Sequence, residues 1–209
     1  WVRRRPYACL SSTGPGRGGR GVDARFPMAN LAMGAGARCC ICPVDDKPIA
    51  SMEGRVSRPY TVYEADADAG YEKTYTIDLS ALRPTGSFPH LPENARTIDE
   101  VGEVKIDQVV IGSCTNGRSS DMEVAAEILK GKKVAKGVRA IIIPATKAVY
   151  KECLRRGLAE IFIAAGCVLS TPTCGPCLGG SMGVLDAGER RVATPNRNFI
   201  GGKAHITSK

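Results

Sequence analysis

Nowhere does this sequence hold an apolar run approaching the ~20 residues that a membrane-spanning helix needs, so no bilayer-spanning role is expected. The basic start, Trp1-Val2-Arg3-Arg4-Arg5-Pro6, is followed by no apolar signal core and no small-residue cleavage pattern. A secretory leader is therefore not expected, and an organellar presequence is the less favoured reading. Internal repeats are absent. Histidine is scarce, with His90 in a Pro-rich link and His205 near the C-terminus, and surface or structural roles are expected for both. Acidic residues are nearly missing from residues 1–25, where Asp23 alone faces Arg3, Arg4, Arg5, Arg17, Arg20 and Arg25. That segment accounts for most of the net charge of +8. It is Gly/Arg/Ser-rich and aperiodic, and is expected to be an unstructured basic arm touching phosphates at most non-specifically. Nucleic acid is not an expected partner.

Cysteine is what the chain has in excess. Nine are present, an odd number at irregular spacing, in a chain whose 43% hydrophobic content builds a core without covalent staples. A secreted disulfide scaffold is thereby disfavoured, and a reduced, cytoplasmic setting fits better. Cys153 and Cys167 fall within predicted elements, where a buried small hydrophobe is the default. Cys39, Cys40 and Cys42 have no His or further Cys nearby to complete a zinc or second cluster site, and are expected to be unbound thiols.

The pattern becomes regular from Val104 onward. Residues 105–112 read as a buried strand ending at Gly112. Ser120-Asp121-Met122-Glu123 is a capping-box sequence opening a helix to about Lys130. A strand at 138–143, helices at 147–156 and 158–165, and strands at 167–170 and 191–194 follow. This alternation predicts a parallel sheet covered on both faces. Before it lie strand-like Tyr60–Tyr63 and Tyr75–Asp78, then the Pro-rich link from Arg83 to Pro92.

In parallel sheets ligands gather at the carboxyl ends of the strands. Three unusual segments are predicted there: Ser113-Cys114-Thr115-Asn116-Gly117-Arg118, Thr171-Pro172-Thr173-Cys174-Gly175-Pro176-Cys177 and Asn196-Arg197-Asn198-Phe199. The two-residue spacer lets Cys174 and Cys177 reach neighbouring irons of one iron–sulfur cluster, with Cys114 as a third ligand. Three ligands on a four-iron cube leave one iron open to act as a Lewis acid. Arg197 and Arg118 are candidates to pair with substrate carboxylates, and Asn116 and Asn196 to donate to cluster sulfides or substrate. The same Cys174-Gly175-Pro176-Cys177 run also has thioredoxin-type redox spacing. The glycines that follow make a poor helix, and no Trp immediately precedes it, so the redox reading ranks below the cluster.

These three segments, continued by Leu178-Gly179-Gly180, resemble the aconitase superfamily, in particular its branch of 3-isopropylmalate dehydratase large subunits, with homoaconitase next. The resemblance runs from about residue 28 to the C-terminus, and residues 1–25 match nothing in it. It implies an aconitase-type three-layer α/β/α fold with a mainly parallel sheet, incomplete. Beyond the basic arm that composition gives over 1–25, it implies a remnant of a preceding α/β domain and linker over 26–100, and a truncated cluster-binding domain over 101–209. Cys114, Cys174 and Cys177 would be the ligands of a 4Fe-4S cluster with one open iron, Asn196 its neighbour, and Arg197 a catalytic contact to a substrate carboxylate. The implied reaction is hydro-lyase chemistry, turning 2-isopropylmalate into 3-isopropylmalate in leucine biosynthesis. The alternatives are a homoaconitase-type dehydratase and a non-catalytic nucleic-acid-binding relic. The chain departs from the pattern at Gly202 and Lys203, where the family has an Arg, at Ser181, where this branch commonly has a His, and at Pro195, where a small hydroxyl residue is usual. A C-terminal fragment is implied, dependent on a missing first half and on a small swivel-domain subunit, and inactive alone.

Overall fold

The computed structural model describes residues 8–17, 20–34, 36–89, 91–196 and 198. Expectations for Arg3, Arg4, Arg5, His90, Arg197, Phe199, Gly202, Lys203 and His205 lie outside the described residues. The chain divides into two units, Trp1–Pro84 and Thr85–Lys209.

In the first unit, β1 (Cys9–Ser11) and β2 (Cys39–Ile41) form a parallel pair, with Cys9 opposite Cys39. Between them runs α1 (Val22–Gly34), and α2 (Asp46–Met52) follows. The Asp45 carboxylate starts α2 by accepting from the Lys47 amide at 3.1 Å, and it also pairs with the buried Arg25 at 2.5 Å. Regular structure thus enters the segment expected to be an unstructured arm. The ladder explains it: Ala8 accepts from Arg38 and Ser12 donates to Ile41, so three short residues gain backbone bonds that their own pattern does not announce. The strand-like Tyr60–Tyr63 and Tyr75–Asp78 form no strand, and residues 53–85 are exposed. Acids at Glu64, Asp66 and Asp68 leave that stretch without a face to bury.

The second unit opens with an antiparallel hairpin, β3 (Thr85–Ser87) and β4 (Ala95–Thr97). Then come β5 (Gln108–Gly112), α3 (Ser113–Asn116), α4 (Ser119–Leu129), β6 (Arg139–Ile143), α5 (Lys147–Arg155), α6 (Leu158–Ala164), β7 (Val168–Leu169), α7 (Gly175–Leu178) and β8 (Arg191–Ala193). The four-stranded sheet has the order β7-β6-β5-β8, every neighbour parallel. Strands buried on both faces need continuous apolar runs, which Val109-Val110-Ile111 and Ile141-Ile142-Ile143 supply.

One face carries Ala140 and Ile142, packed under Met122 of α4, Val149 and Cys153 of α5 and Phe162 of α6. The opposite face carries a smaller cluster of Val110, Ile141 and Ile143. Helix ends follow local chemistry. Thr146 Oγ1 accepts from the Val149 amide at 3.2 Å to begin α5, and Gly157, at φ 72°, separates α5 from α6. At α4 the expected capping box is displaced. The helix begins at Ser119, and Asp121, in its first turn, accepts from the Arg118 amide at 2.9 Å. A carboxylate there satisfies an orphan donor and complements the helix dipole.

Candidate functional site

The site assembles where strand order reverses. From β5 the chain moves outward through β6 to β7, then returns to place β8 on the other side of β5. Segments leaving the carboxyl ends of β5 and β8 are therefore neighbours, and the crevice between them is where open α/β sheets bind ligands.

The turn after β5 is tightly constrained. Gly112 has φ 111°, and a Cβ there would fall on the Ile143 carbonyl oxygen of the adjoining strand. Ser113 follows at φ 74°, a left-handed conformation that costs a non-glycine residue about 1–3 kcal/mol. Its hydroxyl is buried and central. Cys177 Sγ donates to Ser113 Oγ at 2.9 Å, Cys174 Sγ lies 4.0 Å from it, and it reaches the Thr173 carbonyl at 3.4 Å. Ser113 thus ties the loop carrying Cys114 to the loop carrying Cys174 and Cys177.

That second loop closes as a single helical turn, α7, begun by Thr173 Oγ1 accepting from the Gly175 amide at 3.1 Å. Gly175 is needed for closeness: a Cβ would lie 2.7 Å from the Ser181 carbonyl oxygen. Cys114 and Cys174 are exposed, whereas Cys177 is buried. Burial is the main force pushing the Cys177 thiol up to about 11; the Ser113 hydroxyl opposes it, and Cys174 and Cys114 add to it as prospective anions. Both of the other cysteines thus lie near enough to act on Cys177. Among the described residues no three His, Cys, Asp or Glu side chains converge on a point that would hold a single metal ion.

The loop after β8 docks on the same edge. The Gly112 amide donates to Thr194 Oγ1 at 2.9 Å. Asn116 Nδ2 donates to Asn196 Oδ1 at 2.8 Å and to the Thr194 carbonyl, and Asn196 Nδ2 donates to Thr115 Oγ1 at 3.2 Å. The amide hydrogens of Asn116 are thus engaged within the protein, while its buried Oδ1 has no hydrogen-bond partner. Arg118 stands at the start of α4, half-buried, one turn past Cys114. Arg197 lies outside the described residues.

Sequence reasoning passed over Arg191. Its guanidinium is buried beneath the cysteine loop, with Nε donating to Gln108 Oε1 at 2.6 Å, Nη1 to the Pro176 carbonyl at 2.6 Å and Nη2 to the Gly183 carbonyl. Every acceptor is neutral, and burial pushes its pKa down to about 10. The only available signal was Gln108, a polar residue opening an otherwise apolar strand.

The cysteines of the first unit behave differently. Cys9 hydrogen-bonds and raises the thiol of Cys39, its partner across the ladder; burial, and then Cys42, raise that of Cys40. Cys9 and Cys39 form one pair and Cys40 and Cys42 another, with Cys39 a lesser influence on Cys40.

The pattern described as Aconitase family (aconitate hydratase) matches residues 13–208. The chain belongs to the aconitase family. It is 59% identical over 203 residues to the 3-isopropylmalate dehydratase large subunit of Clostridium kluyveri, covering 97% of this chain and 48% of that one. The corresponding subunits of Lachnoclostridium phytofermentans and Helicobacter hepaticus are 56% and 55% identical over 203 residues, with the same coverage. The chain spans about half the length of the curated relatives it matches. The aconitase-family match begins at Thr13, inside the segment that sequence reading had set apart as unrelated, in keeping with the ladder found there. The parallel α/β unit is the fold expected of an aconitase-type fragment.

Proposed function

We propose that this chain is the cluster-bearing part of an iron–sulfur hydro-lyase that isomerises 2-isopropylmalate to 3-isopropylmalate by dehydration and rehydration. It would act in a complete complex with a small swivel-domain subunit and the remainder of the large subunit. The observation that carries the reading is the contact of Cys174 and Cys177 with the Ser113 hydroxyl, beside Cys114, the next residue in the chain, at one edge of the sheet. Three soft thiolates, two exposed and one backed by a hydroxyl, suit a 4Fe-4S cluster, whose cysteines bind different irons and need not converge on one point. When bound, such a group leaves one iron free to act as a Lewis acid toward a hydroxyl and a carboxylate.

The chain's own residues then have separate tasks. Cys114, Cys174 and Cys177 hold the cluster, and Asn196 borders it, fixed by Asn116 and Thr115. Arg197 and Arg118 pair with substrate carboxylates, and Asn116 frames the substrate side through Asn196. A thiol-oxidoreductase reading keeps the Cys-x-x-Cys spacing, but α7 is a single turn of four residues, short of the helix such a redox site uses. No helix among the described residues is long and apolar enough to cross a membrane.

Iron and acid-labile sulfide are to be measured after anaerobic reconstitution, beside visible and EPR spectra. The expected result is a stoichiometric cluster in the wild type and its loss in Cys114→Ser. A Cys114→Ser protein holding as much iron as the wild type would sink the three-thiolate site. So would a folded wild type that takes up none.

A further inference from the structure

Burying a guanidinium without a carboxylate is costly, because neutral oxygens recover only part of the hydration lost. The nearest acid in sequence, Glu189, is instead engaged by Arg139 through bonds of 2.8 and 2.7 Å, and Arg191 makes no ion pair with a described carboxylate. Glu189 acts on Arg191 only at a distance, and the guanidinium's hydrogen bonds all go to neutral oxygens under the sheet edge. Its three donors reach β5 at Gln108, the segment after α7 at Gly183, and the cysteine loop at Pro176, between Cys174 and Cys177. Gln108 turns its Oε1 to the guanidinium and leaves its own buried Nε2 without a partner, so the pocket is arranged around the cation. Among the ionisable groups acting on Arg191, Cys177 is the foremost.

We propose that Arg191 is a positioning residue of the cysteine site: it fixes the Cys174–Cys177 turn through the Pro176 carbonyl, and its positive charge, bonded to neutral oxygens, balances an anionic, thiolate-ligated cluster. The charge half of this inference rests on the cluster reading above; the positioning half does not. Three thiolates leave such a cluster with net negative charge, and reduction adds another. A fixed cation behind the ligand loop favours the reduced form, since net charge and local hydrogen bonding set cluster potentials. The surrounding oxygens contribute dipoles but no opposing charge, which leaves the field of Arg191 directed at the loop it holds.

Two variants separate the halves. Arg191→Gln removes the charge and the fork of donors together. Gln108→Glu keeps the acceptor for Nε and the Pro176 bond, but places a carboxylate against the guanidinium and cancels its charge. Each is reconstituted anaerobically in the full chain, with folding checked by circular dichroism. Cluster reduction potential is measured on the loaded protein, and amide exchange at Gly175, Cys177 and Leu178 on the iron-free protein. Expected are a more negative potential in both variants, and exchange faster by about tenfold in Arg191→Gln only, the scale of one lost charged hydrogen bond. Restoration of the wild-type potential in Arg191→Lys would mark charge rather than packing as the cause. If Arg191→Gln fails to fold, Gln108→Glu carries the test of charge: an unmoved potential there overturns it. Unchanged exchange in a folded Arg191→Gln overturns the positioning role. A wild type that takes up no iron overturns the cluster reading and the charge half with it, while exchange still decides the positioning role.

Discussion

The two units of this chain are built from similar residue types and differ in what those residues enclose. In Trp1–Pro84 the buried described residues are Arg25 and Ala32, and β1 and β2 are three residues each. In Thr85–Lys209 a four-stranded sheet packs Met122, Ile142 and Phe162 to complete burial. Both units carry closely spaced cysteines. Only in the second do strands of one sheet deliver them to a common edge. Thiol chemistry is set less by cysteine number than by whether a rigid layer stands behind the loops.

The contrast is broken most completely at Gly112. Gly112→Ala would drive a Cβ into the Ile143 carbonyl from a φ of 111°, and strain together with overpacking is expected to cost about 4 kcal/mol or more. In urea unfolding followed by circular dichroism, the transition of the second unit should be lost; a variant as stable as wild type would disprove the constraint. Phe162→Ala comes next, emptying the helix-covered core at an expected cost of about 3–5 kcal/mol. Its counterpart in the first unit, Ile49→Ala, alters a side chain already 37% exposed and should cost under about 1 kcal/mol. Equal losses in the pair would erase the distinction between the units.

The smallest effect concerns the turn before β8. Hydrogen bonds from Arg139, foremost, and from the Asp186 amide hold the Glu189 carboxyl down to about 2. A folded-state value below the ordinary 4.5 adds stability that is present above pH 4.5 and disappears as pH falls toward 2. Because Arg139 is half exposed, the pair is worth about 0.5–1 kcal/mol. Glu189→Gln should lower the unfolding midpoint at pH 7 and leave it unchanged near pH 2. An equal shift at both values would mean that packing, not charge, is lost.

Much of the second unit was legible in advance. Continuous apolar runs announced β5 and β6, Gly157 announced the end of α5, and the three unusual segments marked the edge at which Cys114, Cys174, Cys177 and Asn196 now lie. What escaped was whatever depends on partners distant in sequence. Cys9-Leu10-Ser11 has no strand pattern and becomes a strand because β2 accepts it. Tyr60–Tyr63 has the composition of a strand but finds no neighbour. Arg191 opens the stretch expected to be the last strand, and only the fold shows its charge turned inward.

The reversal of strand order also governs timing. The bonds joining Asn116 to Asn196 and Gly112 to Thr194 span 80 and 82 residues, whereas β5 and β6 are joined by α3, α4 and their loops. Contacts across long loops form late, after local pairing has reduced the entropy of closing them. β8 is three residues long and lies at the sheet's margin, paired to β5 alone. It is thus the element that docks last and frays first. Peeling it away would draw Arg191 from the Gln108, Pro176 and Gly183 oxygens that it bonds, so the margin of the sheet is also the latch on the cysteine loop.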